Sequence, residues 1–196
     1  MRYSTTLAAA AALPLLLLAG RPALAQSRWS IEATGDAAFP TRTLAGADLK
    51  AGGGFGANAR YRFMPHLAAY AGWEWHMQRT EQLLAGETLD LNDNGYTFGL
   101  RFEHPLVART AGWLRAGGLA NHIEIENADG DIIQDTGHGL GWEVGAGLTV
   151  PIGARLALTP GVRYRTLSRD LKVGTTSSGS ATLSYVVLGT GLSFSF

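Results

Sequence analysis

The stretch from Leu183 to Phe196 alternates almost residue by residue. Counting back from the end, Phe196, Phe194, Leu192, Thr190, Leu188 and Val186 make one largely apolar set. Ser195, Ser193, Gly191, Gly189, Val187 and Tyr185 make the other, which is mostly small or polar. A period of two is the mark of a β-strand with two unlike faces. The pattern recurs along most of the chain, so the fold must cover a greasy face on many long strands, either with protein or with lipid.

The front of the chain is different. Arg2 precedes an apolar run from Leu7 to Gly20, and Ala23-Leu24-Ala25 has a small-x-small cleavage pattern. Residues 1–25 are therefore expected to be a secretory signal peptide. A run of that length falls short of the roughly 20 residues needed for a helical crossing. Residues 26–196 form one expected domain, with 14 basic and 16 acidic residues once Arg2 and Arg21 are removed. That balance gives no basic footprint for nucleic acid. The chain has no cysteine, which excludes a disulfide framework and a lipid-modified cysteine.

Eight strands are expected: 29–39, 49–63, 67–78, 96–103, 112–126, 140–150, 155–165 and 183–196. The fifth is the least regular. Arg115 and Asn121 share a parity with Trp113, Leu119, Ile123 and Ile125, and a bulge near Gly117-Gly118 would account for a change of phase. Connections alternate long (40–48, 79–94, 127–137, 169–181) and short (64–66, 104–110, 151–154), the asymmetry of membrane barrels with short turns on one side and longer loops on the other. No apolar run in 26–196 could cross as a helix, and a closed barrel is the remaining structure that pairs every amide in lipid. The expected fold is all-β, an eight-stranded antiparallel transmembrane up-and-down β-barrel.

Parity assigns the charged residues to the inside. Glu32, Asp36, Glu74, Glu103 and Glu143 face Arg60, Arg62, Arg101, Arg163 and Arg165. An eight-stranded barrel is just wide enough for side chains to fill, so these are expected to pair and block the lumen. Inward Gly145, Gly147, Gly189 and Gly191 would leave room for a narrow water-lined path. Outward rings fall into two expected membrane-anchoring girdles. One holds Trp29, Tyr61, Phe63, Phe102, Phe194 and Phe196; the other holds Phe39, Trp73, Trp75, Tyr96, Trp142 and Tyr164.

With its export signal, strand count, loop asymmetry and terminal Phe196, the chain resembles the OmpA-like, opacity-type outer-membrane β-barrel family. Gly54-Phe-Gly-Ala-Asn-Ala-Arg-Tyr-Arg-Phe63 and Pro160-Gly-Val-Arg-Tyr-Arg165 look like strands of that family. The resemblance implies residence in the bacterial outer membrane, among its lipids and lipopolysaccharide. It also implies recognition of the C-terminal strand by the barrel-assembly machinery. Family members serve as envelope-stabilising proteins, adhesins, serum-resistance factors or narrow pores. The peptidoglycan-binding domain that follows the barrel in full-length OmpA types is lacking, so a wall tether is not expected.

Chemistry is sparse. His66 and His104 fall at short turns, while His76, His122 and His138 are expected to approach one another near the outer rim. A barrel lipid-A deacylase would show a strand histidine with serine two residues on; here Glu124 follows His122, and the nucleophile is missing. Asp90-Leu-Asn92-Asp-Asn94-Gly95 opens like a calcium loop, but its twelfth position is Arg101 where a bidentate glutamate is needed. A turn into the fourth strand is the plainer account. The outer loops are acidic (Asp48, Glu81, Glu87, Asp90, Asp93, Asp129, Asp131, Asp135, Asp170), a surface able to attract divalent cations. No cofactor, metal or catalytic residue is expected. The role read from the sequence is structural or surface-interacting through the outer loops, with an unidentified extracellular partner. A narrow pore is the alternative, and a lipid A-modifying enzyme the least favoured.

Overall fold

The computed structural model describes residues 27–42, 49–80, 89–127, 129–173 and 176–196, with the backbone alone for residues 80, 89, 134, 169–173 and 176–181. The signal segment 1–25 and loop residues Asp48, Glu81 and Glu87 lie outside the described residues. The strands are β1 (Trp29–Pro40), β2 (Gly52–Met64), β3 (Leu67–Thr80), β4 (Leu89–Pro105), β5 (Ala111–Glu126), β6 (Ile132–Asp135), β7 (Gly139–Pro151), β8 (Leu156–Leu158), β9 (Gly161–Val173) and β10 (Thr176–Ser195).

Eight walls close into one antiparallel barrel. β1 pairs with β10 from Ser30↔Ser195 to Pro40↔Tyr185, so the sheet has no open edge around the ring. β8 and β9 are one wall interrupted at Thr159-Pro160. Proline brings no N–H to a ladder, yet its carbonyl still accepts from Leu148 N at 2.9 Å. β6 stands outside the ring, paired only with β5 above the rim.

The register fixes the geometry. Ser30 lies opposite Arg60, then Tyr70, Gly99, Gly117, Glu143, Arg165 and Tyr185, and Tyr185 returns to β1 at Pro40, ten residues further on (40 − 30). An even offset brings an inward residue back to an inward residue, so one parity lines the lumen in every wall. The other parity carries Ile31, Phe55, Phe98, Leu114, Val144, Val162 and Leu192, all exposed. An apolar belt around a closed β-sheet is the arrangement that lipid demands.

Three sequence expectations change. β5 contains no bulge: its register with β4 runs unbroken from Asp90↔Glu126 to Pro105↔Ala111, and Arg115, Trp113, Leu119 and Ile123 all point inward. The 79–94 connection is shorter than expected. β4 begins at Leu89, and Asp90 to Gly95 are ladder residues paired on both sides with β3 and β5. Neither a calcium loop nor a turn exists there. Likewise β9 and β10 extend through much of 169–181, closing at Val173↔Thr176.

Candidate functional site

Inside the barrel, charged side chains form two clusters. In the lower one, Arg101 Nη1 reaches Glu32 Oε2 at 3.5 Å and Arg101 Nε lies 3.4 Å from Glu103 Oε2. Arg60 lies 3.9 Å from Glu103 and donates to Ser30 and Ser193 hydroxyls. Arg62 is half-buried at this mouth and has no ion-pair partner among the described residues. In the upper cluster Glu74, 1 % exposed, accepts from Arg163 at 2.6 Å and from Arg165 at 2.9 Å. Arg163 also donates to Asp36 at 2.7 Å. Glu143 accepts from Arg115, from the Tyr70 hydroxyl at 2.7 Å and from Thr97 at 2.9 Å. Arginine suits this task because its planar fork can serve two carboxylates at once.

The register explains why these residues meet. Glu143 is paired directly with Arg165 across β7 and β9, and Gly145 with Arg163. Glu74 reaches across the lumen from β3, and Gly56, its ladder partner on β2, leaves space for its side chain. Above this layer the lining changes character. Leu91, Leu119, Ile123, Ile125, Leu167, Leu183 and Val187 form a buried apolar plug, against which Leu49 packs. At the junction, Asp93 accepts from the Tyr185 hydroxyl and from Asn121 Nδ2, the latter at 2.7 Å.

Several residues sit elsewhere than the sequence suggested. Arg115 is a full member of the network, whereas Arg62 is peripheral. Asp93, read as a loop acid, is buried at 2 % exposure inside the barrel. His76 is not at the rim: it is fully buried, with its Nδ1 2.9 Å from Arg165 and its Nε2 3.7 Å from Asp36. His122 and His138 do meet, with ring centroids 4.6 Å apart. The inward glycines do not leave an open path. The Trp113 ring fills the space over Gly147 and Gly161, Arg163 occupies that beside Gly145, Asp36 that beside Gly189, and Glu32 with Thr159 that beside Gly191. Arg101 lies 4.6 Å over the Trp113 ring, a cation–π contact. Among the described residues the interior cavity found there, lined in part by Glu32, Asp36, Arg101 and Arg163, is ≈ 20 Å³. That is room for about one water.

Parity within β4 carried the missing signal: Asp93 and Leu91 share it with Thr97 and Arg101. Outside, Trp29, Phe63, Trp142 and Phe196 are exposed rings, and Trp73, Trp75 and Phe194 are half-buried on the same outer parity. Pairs such as Trp29–Tyr61 at 4.8 Å and Trp142–Tyr164 at 5.6 Å pack ring to ring there.

No curated protein matches the chain. Solved structures share its architecture at low identity. Neisserial surface protein A aligns with a TM-score of 0.62 and 14% identity, over 87% of this chain and 98% of that one. The outer membrane protein OprG from Pseudomonas aeruginosa aligns at 0.54 and 15%, over 87% and 97%. The outer membrane protein AlkL aligns at 0.51 and 15%, over 91% and 94%. At such identities the likeness establishes the fold. Residues 9–196 match the description "Outer membrane protein beta-barrel domain". A closed eight-walled barrel with an apolar outer belt and a match over nearly its whole length place this chain in the bacterial outer membrane, as a member of the outer membrane protein beta-barrel family.

Proposed function

We propose that this protein is a sealed outer-membrane barrel with a structural or surface-interaction role exercised at its outer end. The observation that carries the reading is the filled lumen: two ion-paired clusters, an apolar plug above them, and beside Glu32, Asp36, Arg101 and Arg163 a cavity with room for about one water. A solute path would have to break buried Arg–carboxylate pairs, which costs several kcal/mol. What is left free to meet a partner is the outer end. There β3 and β4 stay paired to Thr80↔Leu89, β9 and β10 to Val173↔Thr176, and β6 presents exposed Ile132 and Ile133. A rigid scaffold with variable connections is where recognition is commonly carried.

Planar-bilayer recording of the folded protein tests the sealed lumen. A silent bilayer is expected, with folding verified by the heat-dependent gel shift. Discrete conductance steps that change when Glu143 or Arg163 is neutralised would replace this reading with a gated pore. Shortening 81–88 and 127–137 should abolish surface binding while the barrel stays folded; residues 89–94 must be kept, since they belong to β4.

The role needs no catalysis. His122 faces Glu124 and Asp135, a carboxylate pair without a strand serine two residues on. Lipid A mass spectra should be the same with and without the protein, and an altered acyl pattern would make it an enzyme. Two further features follow from membrane residence. The outer rings anchor the barrel at the headgroup layers, and Phe196 with β10 is read by the assembly machinery. Replacing Phe196 by Ala should lower the amount of folded barrel recovered from the outer membrane.

A further inference from the structure

Histidine and carboxylates converge at one place outside the lumen. His122 and Glu124 are alternate residues of β5 and so share a face, and Asp135 on β6 lies directly opposite Glu124 in the ladder. That face is the outer one, one step beyond Ala120 and level with Asn94 of β4, just above the rings of Tyr96 and Trp142. One ring nitrogen of His122 and one oxygen each of Glu124 and Asp135 lie within 4.8 Å of one another. Like charges placed opposite each other across a ladder repel, and neither carboxylate has a lysine or arginine partner among the described residues.

The surroundings hold this group in place. Thr136 N donates to Ile123 O at 3.1 Å, and Thr136 Oγ1 accepts from Ile123 N at 3.0 Å. Gly137 N donates to Asp135 Oδ1 at 2.8 Å. Gly137 takes a positive φ of 66°, and the chain then brings the His138 ring beside His122. On the other side of Glu124 in the ladder stands Asn92, 4 % exposed, whose Oδ1 has no hydrogen-bond partner among the described residues.

We propose that His122, Glu124 and Asp135, with His138 as a second imidazole, form a surface site for a divalent first-row transition ion, zinc above all. Imidazole nitrogen with carboxylate oxygen is a donor set for zinc, whereas calcium and magnesium take oxygen alone. Zinc ligands bound at about 2.0–2.2 Å stand roughly 3.3 Å apart. His122 Nε2 lies 3.7 Å from Glu124 Oε1 and His122 Nδ1 3.6 Å from Asp135 Oδ1, so the carboxylates face different ring nitrogens. With one nitrogen as ligand the three atoms stand within 4.8 Å, and side-chain rotation must bring them onto one ion. Asp135, its side chain 49% exposed, can turn its second carboxylate oxygen to the ion while Oδ1 keeps the Gly137 N–H.

The test uses the protein extracted in detergent from outer membranes, stripped of metal and titrated with Zn²⁺ against a chromogenic chelator. A single equivalent should bind, and a large excess of Ca²⁺ should not displace it. His122→Ala and Asp135→Asn should each weaken binding by at least about tenfold, with the heat-dependent gel shift unchanged. Co²⁺ in place of Zn²⁺ should give a visible ligand-field band that His122→Ala removes, because an imidazole ligand is lost. His66→Ala, in the turn pair with His104 at the opposite end, should change nothing. Absence of stoichiometric binding, binding that survives both rim variants, loss with His66→Ala, or displacement by Ca²⁺ would each overturn the proposal.

Discussion

From Ser30 up to Arg165 the lumen is filled with arginines and carboxylates, and above Arg165 with leucine, isoleucine and valine. Both regions fill the lumen, but they do so by different means. The ionic layer depends on direction and count: Glu74 is held by three arginines, Arg163, Arg165 and Arg115, whose forks also serve other acceptors, so each member stays neutralised only while its partners remain. The apolar plug depends on volume and has no partner to lose. One region is thus brittle to removal of a single group, the other to loss of shape.

Five variants break or sharpen this contrast. The largest loss is expected for Glu74→Ala, which leaves the buried Arg165 guanidinium with only a 3.8 Å contact to Glu143 and leaves Arg163 with Asp36 but without its other close carboxylate. About 3–5 kcal/mol should disappear in denaturant unfolding of the detergent-folded barrel. Leu119→Ala, in the plug, should cost about 2–5 kcal/mol by leaving a cavity, and the bilayer should stay silent because the ionic layer beneath still closes it.

Conservative swaps separate the regions more clearly. Arg163→Lys gives up the fork that joins Glu74 to Asp36 and should cost about 1.5–3 kcal/mol, while Leu119→Met should cost under about 1.5 kcal/mol. Equal losses would show that the two layers tolerate change alike. The smallest effect belongs to Arg79→Ala. Arg79 pairs with Asp90 at 3.2 Å on the exposed outer hairpin, and pairs of that kind contribute at most about 1 kcal/mol.

The same contrast explains which parts of the fold could be read in advance. In β2, and in β9 from Gly161 to Arg165, the inward set is glycine and polar residues and the outward set is mostly apolar, so alternation alone assigned Arg60, Arg163 and Arg165 to the lumen. In β5 the inward parity passes from Arg115 in the ionic layer to Leu119, Ile123 and Ile125 in the plug. Hydrophobicity changes with height along the strand while parity does not, and the change imitates a bulge. β4 misled for the same reason: Leu91 and Asp93 line the lumen near the plug, where the outer parity turns polar with Asn92 and Asn94. The glycines misled in another way. Their small size signals space beside the backbone, and only the folded chain shows that Trp113, Asp36 and Arg163 occupy it.

The sequence by itself determined a two-faced, many-stranded chain with polar residues on one parity and apolar residues on the other, because a strand places successive side chains on opposite sides whatever it pairs with. Which charges meet was decided by closure. Glu74 and Arg163 lie 89 residues apart and come together across the lumen. They are level with each other because the ring closes with an offset of ten residues from Ser30 to Pro40. Alternation within a strand carries parity but not height, and height around a barrel is a property of the closed ring.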